Sequence, residues 1–270
     1  MSGGKSRSVM FLSLAAAMGG FLFGYDTAVI NGGEQQIQSA WSLSSFVHGL
    51  VMSSALWGTV IGAMCGGKVC DRIGRKPTLF WVGVLYSVSA IWSALAFGPS
   101  DLMVARFIGG LGVGASSIAA PVYIAEISPP EQRGKLGGLF QFNIVLGMVV
   151  SQFVNWALGG IGDNAWRWML GAEAVPALAF TLMTLFLSES PRWLSTFNSQ
   201  LNPPTPTQNS NFFCRGNLRP ILLAFCLAMF NQLSGINAMM YFAKRVFEMA
   251  GVAFGHIRYT LFRANLRPNR

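Results

Sequence analysis

The stretch AAAMGGFLFGYDTAVINGG, residues 15–33, places one carboxylate, Asp26, near the end of an otherwise uncharged apolar run. That run extends from residue 9 to residue 30, and about 20 apolar residues in a helix cross a hydrocarbon core of about 30 Å. The stretch therefore reads as one bilayer crossing with an ionisable group inside it, and such a group is a functional hypothesis by default. Deprotonated and alone, Asp26 would cost roughly 2.5–3.5 kcal/mol there, so the rest of the chain must supply a cation, a water-filled cavity or a proton.

Composition extends that reading to the whole chain. Hydrophobic residues make up 52% of the 270 and charged residues 11%, against about 25% charged in soluble domains; the mean hydropathy is +0.46. This is a polytopic membrane protein. The net charge of +9 is not a nucleic-acid footprint, because the basic residues fall mostly in short connections between apolar runs, where they set topology. Cys65, Cys70, Cys214 and Cys226 form no C-x-x-C pair and read as packing residues. A secretory signal peptide is excluded at the amino terminus, because the apolar run is longer than the 7–15 residues, roughly, of a signal core and further runs follow it.

Seven apolar runs are expected to form helices, over residues 9–30, 46–66, 78–97, 102–124, 137–158, 169–187 and 220–242. Their connections alternate in charge. Lys5 and Arg7 precede the first run, Lys68, Arg72, Arg75 and Lys76 lie between the second and third, and Arg133 and Lys135 between the fourth and fifth. The positive-inside rule then places the amino terminus in the cytoplasm. The chain divides into a six-helix domain (1–187), a linker (188–219), a seventh helix (220–243) and a basic tail (244–270). The linker is rich in Pro, Asn, Ser and Thr and reads as extended and cytoplasmic. The tail carries Arg258, Arg263, Arg267 and Arg270, which a seventh crossing would place outside. Two readings of that conflict stay open: a chain truncated or out of frame after about residue 254, or a seventh segment that does not span.

Small residues recur every four positions, at Gly20 and Gly24, at Gly58, Gly62 and Gly66, and at Gly110 and Gly114, so that helices can cross closely. Residues 110–115 also match a dinucleotide-binding G-x-G-x-x-A. That motif needs a preceding strand, and here it lies inside an apolar helix. The first and fourth helices share a glycine pattern around Asp26 and Arg106, as inverted three-helix repeats would.

Five stretches together resemble the sugar porter family of the major facilitator superfamily: GGFLFGYDTAVINGG (19–33), GGKVCDRIGRKP (66–77), RFIGGLGVGASSIAAPVYIAEISPPEQRG (106–134), SESPRW (188–193) and NQLSGINAMMYF (231–242). The resemblance implies an all-α integral membrane fold, a six-helix bundle built as a 3+3 inverted repeat plus a seventh helix, truncated relative to the family's twelve. It implies that Asp26 couples protons with Arg106 as its partner, since an opposite charge within about 4–6 Å favours the ionised form. It implies sugar contacts from Phe23, Gln141, Asn231, Gln232, Asn237 and Tyr241, because a neutral polyhydroxyl ligand is held by amides and rings. Asn231 stands where the family commonly has Gln, which puts the sugar preference in doubt. It implies a cytoplasmic gate from Gly67, Asp71, Arg72, Gly74, Arg75, Glu126, Arg133, Glu189 and Arg192, the two glycines permitting a tight turn. Glu173 also matches a family carboxylate, with gating and packing both open as its role.

The expected function is proton-coupled transport of a hexose or pentose across the plasma membrane, by an incomplete copy that is inactive unless a second half-transporter completes it. A non-transporting sugar sensor, an assembly partner or an uncoupled facilitator are the alternatives. No enzyme is expected, because no nucleophile with its base, metal cluster or phosphate loop is present, and His48 and His256 are too few and too far apart to hold a metal. No cofactor is expected either.

Overall fold

The computed structural model describes residues 3–201 and 218–249. All regular structure among them is helical: α1 (Gly3–Ala40), α2 (Ser45–Ile73), α3 (Arg75–Leu95), α4 (Pro99–Ile127), α5 (Arg133–Leu158), α6 (Ala165–Ala172), α7 (Ala174–Leu185), α8 (Pro191–Leu201), α9 (Leu218–Leu233) and α10 (Ile236–Met249). Six spans are long and apolar enough to cross a membrane, α6 and α7 together making the sixth. The chain divides into two compact units, Met1–Gln208 with α1–α8 and Asn209–Arg270 with α9 and α10.

In the first unit α2 packs on α4 and α1 on α5, and glycine makes both crossings close. A Cβ at Gly24 would overlap the Ile144 carbonyl, and one at Gly110 the Ala55 carbonyl. Without a hydrophobic drive between helices in lipid, such backbone-to-backbone approach is a main source of attraction. The core lies among α1, α3, α4, α5 and α7, around Leu22, Tyr86, Tyr123 and Phe180. Trp57, Trp81, Phe142, Phe153 and Phe186 point outward and exposed. A bundle with apolar residues on both its inner and outer faces is what a lipid solvent selects.

Several boundaries differ from the sequence reading, each for a local reason. The first helix runs on to Ala40 because its glycines Gly32 and Gly33 fit against Asn155 and Trp166 rather than ending the helix. The sixth run is broken at Glu173: Pro176 has no N–H for the Ala172 carbonyl, and its ring crowds that carbonyl. The seventh run forms two helices, because Gly235 turns the backbone at φ +73°, a conformation glycine adopts at little cost. The linker is not extended throughout. Ser190 Oγ accepts from the Trp193 N–H at 3.3 Å and caps α8, and the Trp193 and Phe197 rings stack at 5.0 Å one turn apart. Gly67 lies inside α2, with nothing within 4 Å of a Cβ placed there, so only Gly74 makes the α2–α3 turn. Residues 202–217, with Cys214 and Arg215, and the tail from residue 250 lie outside the described residues.

Candidate functional site

Three polar clusters interrupt the apolar bundle, one at its middle and one toward each end. The middle cluster is built from α1, α4 and the break between α6 and α7. Asp26 and Arg106 are each 2% exposed. Arg106 Nη1 donates to Asp26 Oδ1, and Nη2 donates to the Asp26 backbone carbonyl at 3.0 Å. The guanidinium thus grips both the side chain and the backbone of its partner, which only a planar fork of donors can do. Glu173, also 2% exposed, has these same two residues as its electrostatic neighbours. Two carboxylates therefore lie within electrostatic reach of one guanidinium, all three groups buried. Residue 173 was legible as a buried carboxylate within an apolar run, but nothing in the sequence brings it to Asp26. The Pro176 break does that.

Toward the Arg75 end, a second cluster ties the α2–α3 turn to α4 and to the segment before α8. Arg75 Nε and Nη2 donate to Glu126 Oε2 and Oε1 at 2.9 and 3.0 Å. Asp71 adds a contact at 3.1 Å. The backbone N–H groups of Arg75 and Lys76 donate to Glu189 Oε1 at 2.9 and 3.2 Å, so the carboxylate occupies the amino terminus of α3, where the helix dipole favours an anion. Gly74 sits at φ +102°, and a Cβ on it would overlap Glu189 Oε2. Ser190 Oγ donates to Glu126 Oε2 at 2.6 Å, and Trp193 Nε1 donates to the Asp71 carbonyl at 2.9 Å. Ser190 and Trp193 both belong to the motif SESPRW, whose charged residues alone are expected at the gate. Arg72, Arg133 and Arg192 are exposed and form no ion pair with the described residues, so they stand outside this cluster.

At the other end, His48 Nε2 lies 2.9 Å from Glu34 Oε1, with both residues buried. The pair ties the end of α1 to the start of α2. Beside it the Trp166 N–H donates to Gln36 Oε1 at 3.0 Å, and Trp41 meets the Trp166 ring edge-on at 5.2 Å. Glu34 lies beyond the first apolar run as read, and the longer α1 carries it into the interior. No metal-holding group of His, Cys, Asp or Glu occurs among the described residues.

The residues expected to contact sugar fall in both units. In the first, Phe23 is half-buried on α1 and packs on the core, while Gln141 is exposed on α5. In the second, Asn231 and Gln232 are exposed on α9. Tyr241 lies on α10, just before its kink at Phe242, and Asn237 is on the same helix.

The fold and this site define an integral, multi-pass membrane protein whose helix bundle encloses a buried ion pair. The chain matches the family described as "Sugar (and other) transporter" over residues 12–202 and 198–258, and it belongs to that family. It is 36% identical over 275 residues to the arabinose-proton symporter of Bacillus subtilis, covering 90% of this chain and 59% of that protein. To the D-xylose-proton symporter of Escherichia coli it is 30% identical over 305 residues, covering 92% of this chain and 62% of that protein. Among solved structures, the partially occluded inward-open form of the xylose transporter XylE from E. coli matches with a TM-score of 0.76 at 30% identity. That match covers 88% of this chain and 66% of that one. The chain thus spans about three-fifths of the length of these two symporters.

Proposed function

We propose that the chain carries the proton-coupling half of a monosaccharide transporter. The observation that carries this reading is the Asp26–Arg106 pair with Glu173 beside it. Fully ionised, the three groups carry a net charge of −1, and one proton makes the cluster neutral. With Asp26 ionised, Arg106 stays on Asp26; with Asp26 protonated, Arg106 turns toward Glu173. This gives α1 and α4 two alternative arrangements selected by a proton, and alternating access needs such a two-state element. The similarity to relatives named as arabinose-proton and D-xylose-proton symporters supports the choice of a pentose or hexose and of symport.

In this reading Phe23, Gln141, Asn231, Gln232, Asn237 and Tyr241 supply rings and amides to the sugar. Arg75, Glu126 and Glu189, with Asp71 and Gly74, form the gate on the cytoplasmic side. The amino terminus is cytoplasmic and the membrane is the plasma membrane. In transporters of this kind the sugar site lies near the bilayer midplane, between two repeats.

Sugar binding measured in lipid nanodiscs across a pH series tests the reading. D-xylose, L-arabinose and D-glucose are expected to bind with dissociation constants of about 1 mM or weaker, near −4 kcal/mol. Binding is expected to vary with pH in the native chain and to lose that variation in Asp26→Asn, because coupling between two ligands is reciprocal. Binding equally pH-independent in both proteins would point to an uncoupled facilitator. No sugar binding at all would overturn the transporter reading.

A further inference from the structure

Beside the buried carboxylates lie three hydroxyls that no well-aligned protein hydrogen bond satisfies. Tyr25 Oη on α1, Tyr86 Oη on α3 and Ser116 Oγ on α4 are all enclosed, and Tyr86 and Ser116 lie within reach of each other. Buried hydroxyls without a partner are costly, and native interiors satisfy nearly all of them with protein or ordered water.

Their placement is directional. Tyr86 is an electrostatic neighbour of both Asp26 and Glu173, and its side chain also adjoins that of Ser116. Tyr25 is a neighbour of Glu173. Along α4, a Cβ at Gly109 would lie 3.6 Å from Asp26 Oδ1, and one at Gly112 3.7 Å from the Tyr86 ring. Ser116 comes one turn further, opposite Gly19 of α1. From Gly109 to Ser116 is about 10 Å of helix. The hydroxyls thus step from the carboxylates toward the Arg75 end of the bundle.

We propose that Tyr25, Tyr86 and Ser116 hold internal water against Asp26 and Glu173, and that this hydroxyl–water chain carries the proton between the carboxylates and Ser116, on the side of the cluster that faces the Arg75 end. A buried water needs two to four polar partners, and two carboxylates and three hydroxyls are the polar groups gathered here. Every transfer along it breaks one O–H bond and forms one. The carboxyl gives its proton to a water, and that water passes one to Tyr86 Oη as Tyr86 gives its own to the next oxygen. No hydroxyl is left charged and no oxidant or reductant is needed. This inference rests on the proposed proton-binding role of Asp26 and Glu173.

Infrared spectroscopy of the full chain in lipid, before and after transfer to D₂O, tests it. A protonated-carboxyl band that disappears in Asp26→Asn or Glu173→Gln is the marker, and its absence would overturn both the shared proton and the path. With the band present, Tyr86→Phe and Ser116→Ala are each expected to slow its deuterium exchange about tenfold, the cost of one hydrogen bond missing from the path. Ser93→Ala removes a partnerless buried hydroxyl from elsewhere on α3 and is expected to leave exchange unchanged. Exchange within about twofold of the native rate in both Tyr86→Phe and Ser116→Ala, far below what one lost hydrogen bond would produce, would overturn the path while leaving the proton-binding reading intact. Equal slowing in all three variants would overturn it too, as a general tightening of the bundle.

Discussion

Arg106→Ala is expected to destabilise the bundle by about 3–5 kcal/mol, the usual cost of removing one partner from a buried ion pair. The loss is large because the guanidinium holds the Asp26 carboxylate and backbone carbonyl at once and its charge also acts on Glu173. Alanine leaves Asp26 and Glu173 facing one another with no counter-charge, and the Asp26 carbonyl without one of its donors. Thermal unfolding of the purified chain in detergent reads the effect. Adding Asp26→Asn to Arg106→Ala is expected to recover part of the loss, because the second change removes one of the stranded charges, and a double-mutant cycle isolates that coupling. Unfolding unchanged in Arg106→Ala, or two losses that simply add, would mean that the pair contributes nothing.

Glu126→Ala is the second large effect. It removes the two hydrogen bonds that Arg75 donates to Glu126 and the one that Ser190 donates. Bonds to charged groups contribute about 1.5–3 kcal/mol each when buried. This cluster keeps Asp71 and the Cys70 carbonyl as remaining acceptors, so a total loss of roughly 2–3 kcal/mol is expected. The effect should also be local. Amide hydrogen exchange is expected to quicken at Ser190 and Trp193 and at the start of α3, which the same network clamps, and to stay unchanged around Asp26. Protected amides at Ser190 and Trp193 in the variant would contradict a clamp centred on Glu126.

What the sequence made legible follows from how strong each physical signal was. Apolar runs of about 20 residues have few alternatives in lipid, so the six crossings of the first unit were readable from hydropathy. Glycine repeats at Gly20, Gly24, Gly58, Gly62, Gly110 and Gly114 marked faces that the structure brings into backbone contact. Asp26 and Arg106 were conspicuous as charges in apolar surroundings, and the structure brings them together. Glu173 and Glu34 were harder. Each becomes part of a polar cluster only through a helix boundary that periodicity does not reveal: the Pro176 break for Glu173, and the continuation of α1 past Gly33 for Glu34. The residues expected at the gate show the opposite case. Arg72, Arg133 and Arg192 share their charge and loop position with Arg75, but only Arg75 is turned inward by Gly74 onto Glu126. A single sequence holds no signal that separates them. Composition misled at the linker, where a Pro, Asn and Ser bias hid the short amphipathic helix that Ser190 caps.

The central claim is that Asp26, Glu173 and Arg106 bind one exchangeable proton as a unit, and counting protons tests it most directly. Potentiometric titration of the purified chain in lipid nanodiscs, compared with Asp26→Asn, Glu173→Gln and the double variant, gives the number bound by the cluster. The account predicts that the native chain takes up one proton more than the double variant over the working pH range. It also predicts that Arg106→Ala changes where that uptake occurs. Identical titration curves for the native chain and the double variant would contradict it, leaving a static ion pair that orients α1 and α4 and nothing for a sugar gradient to couple to.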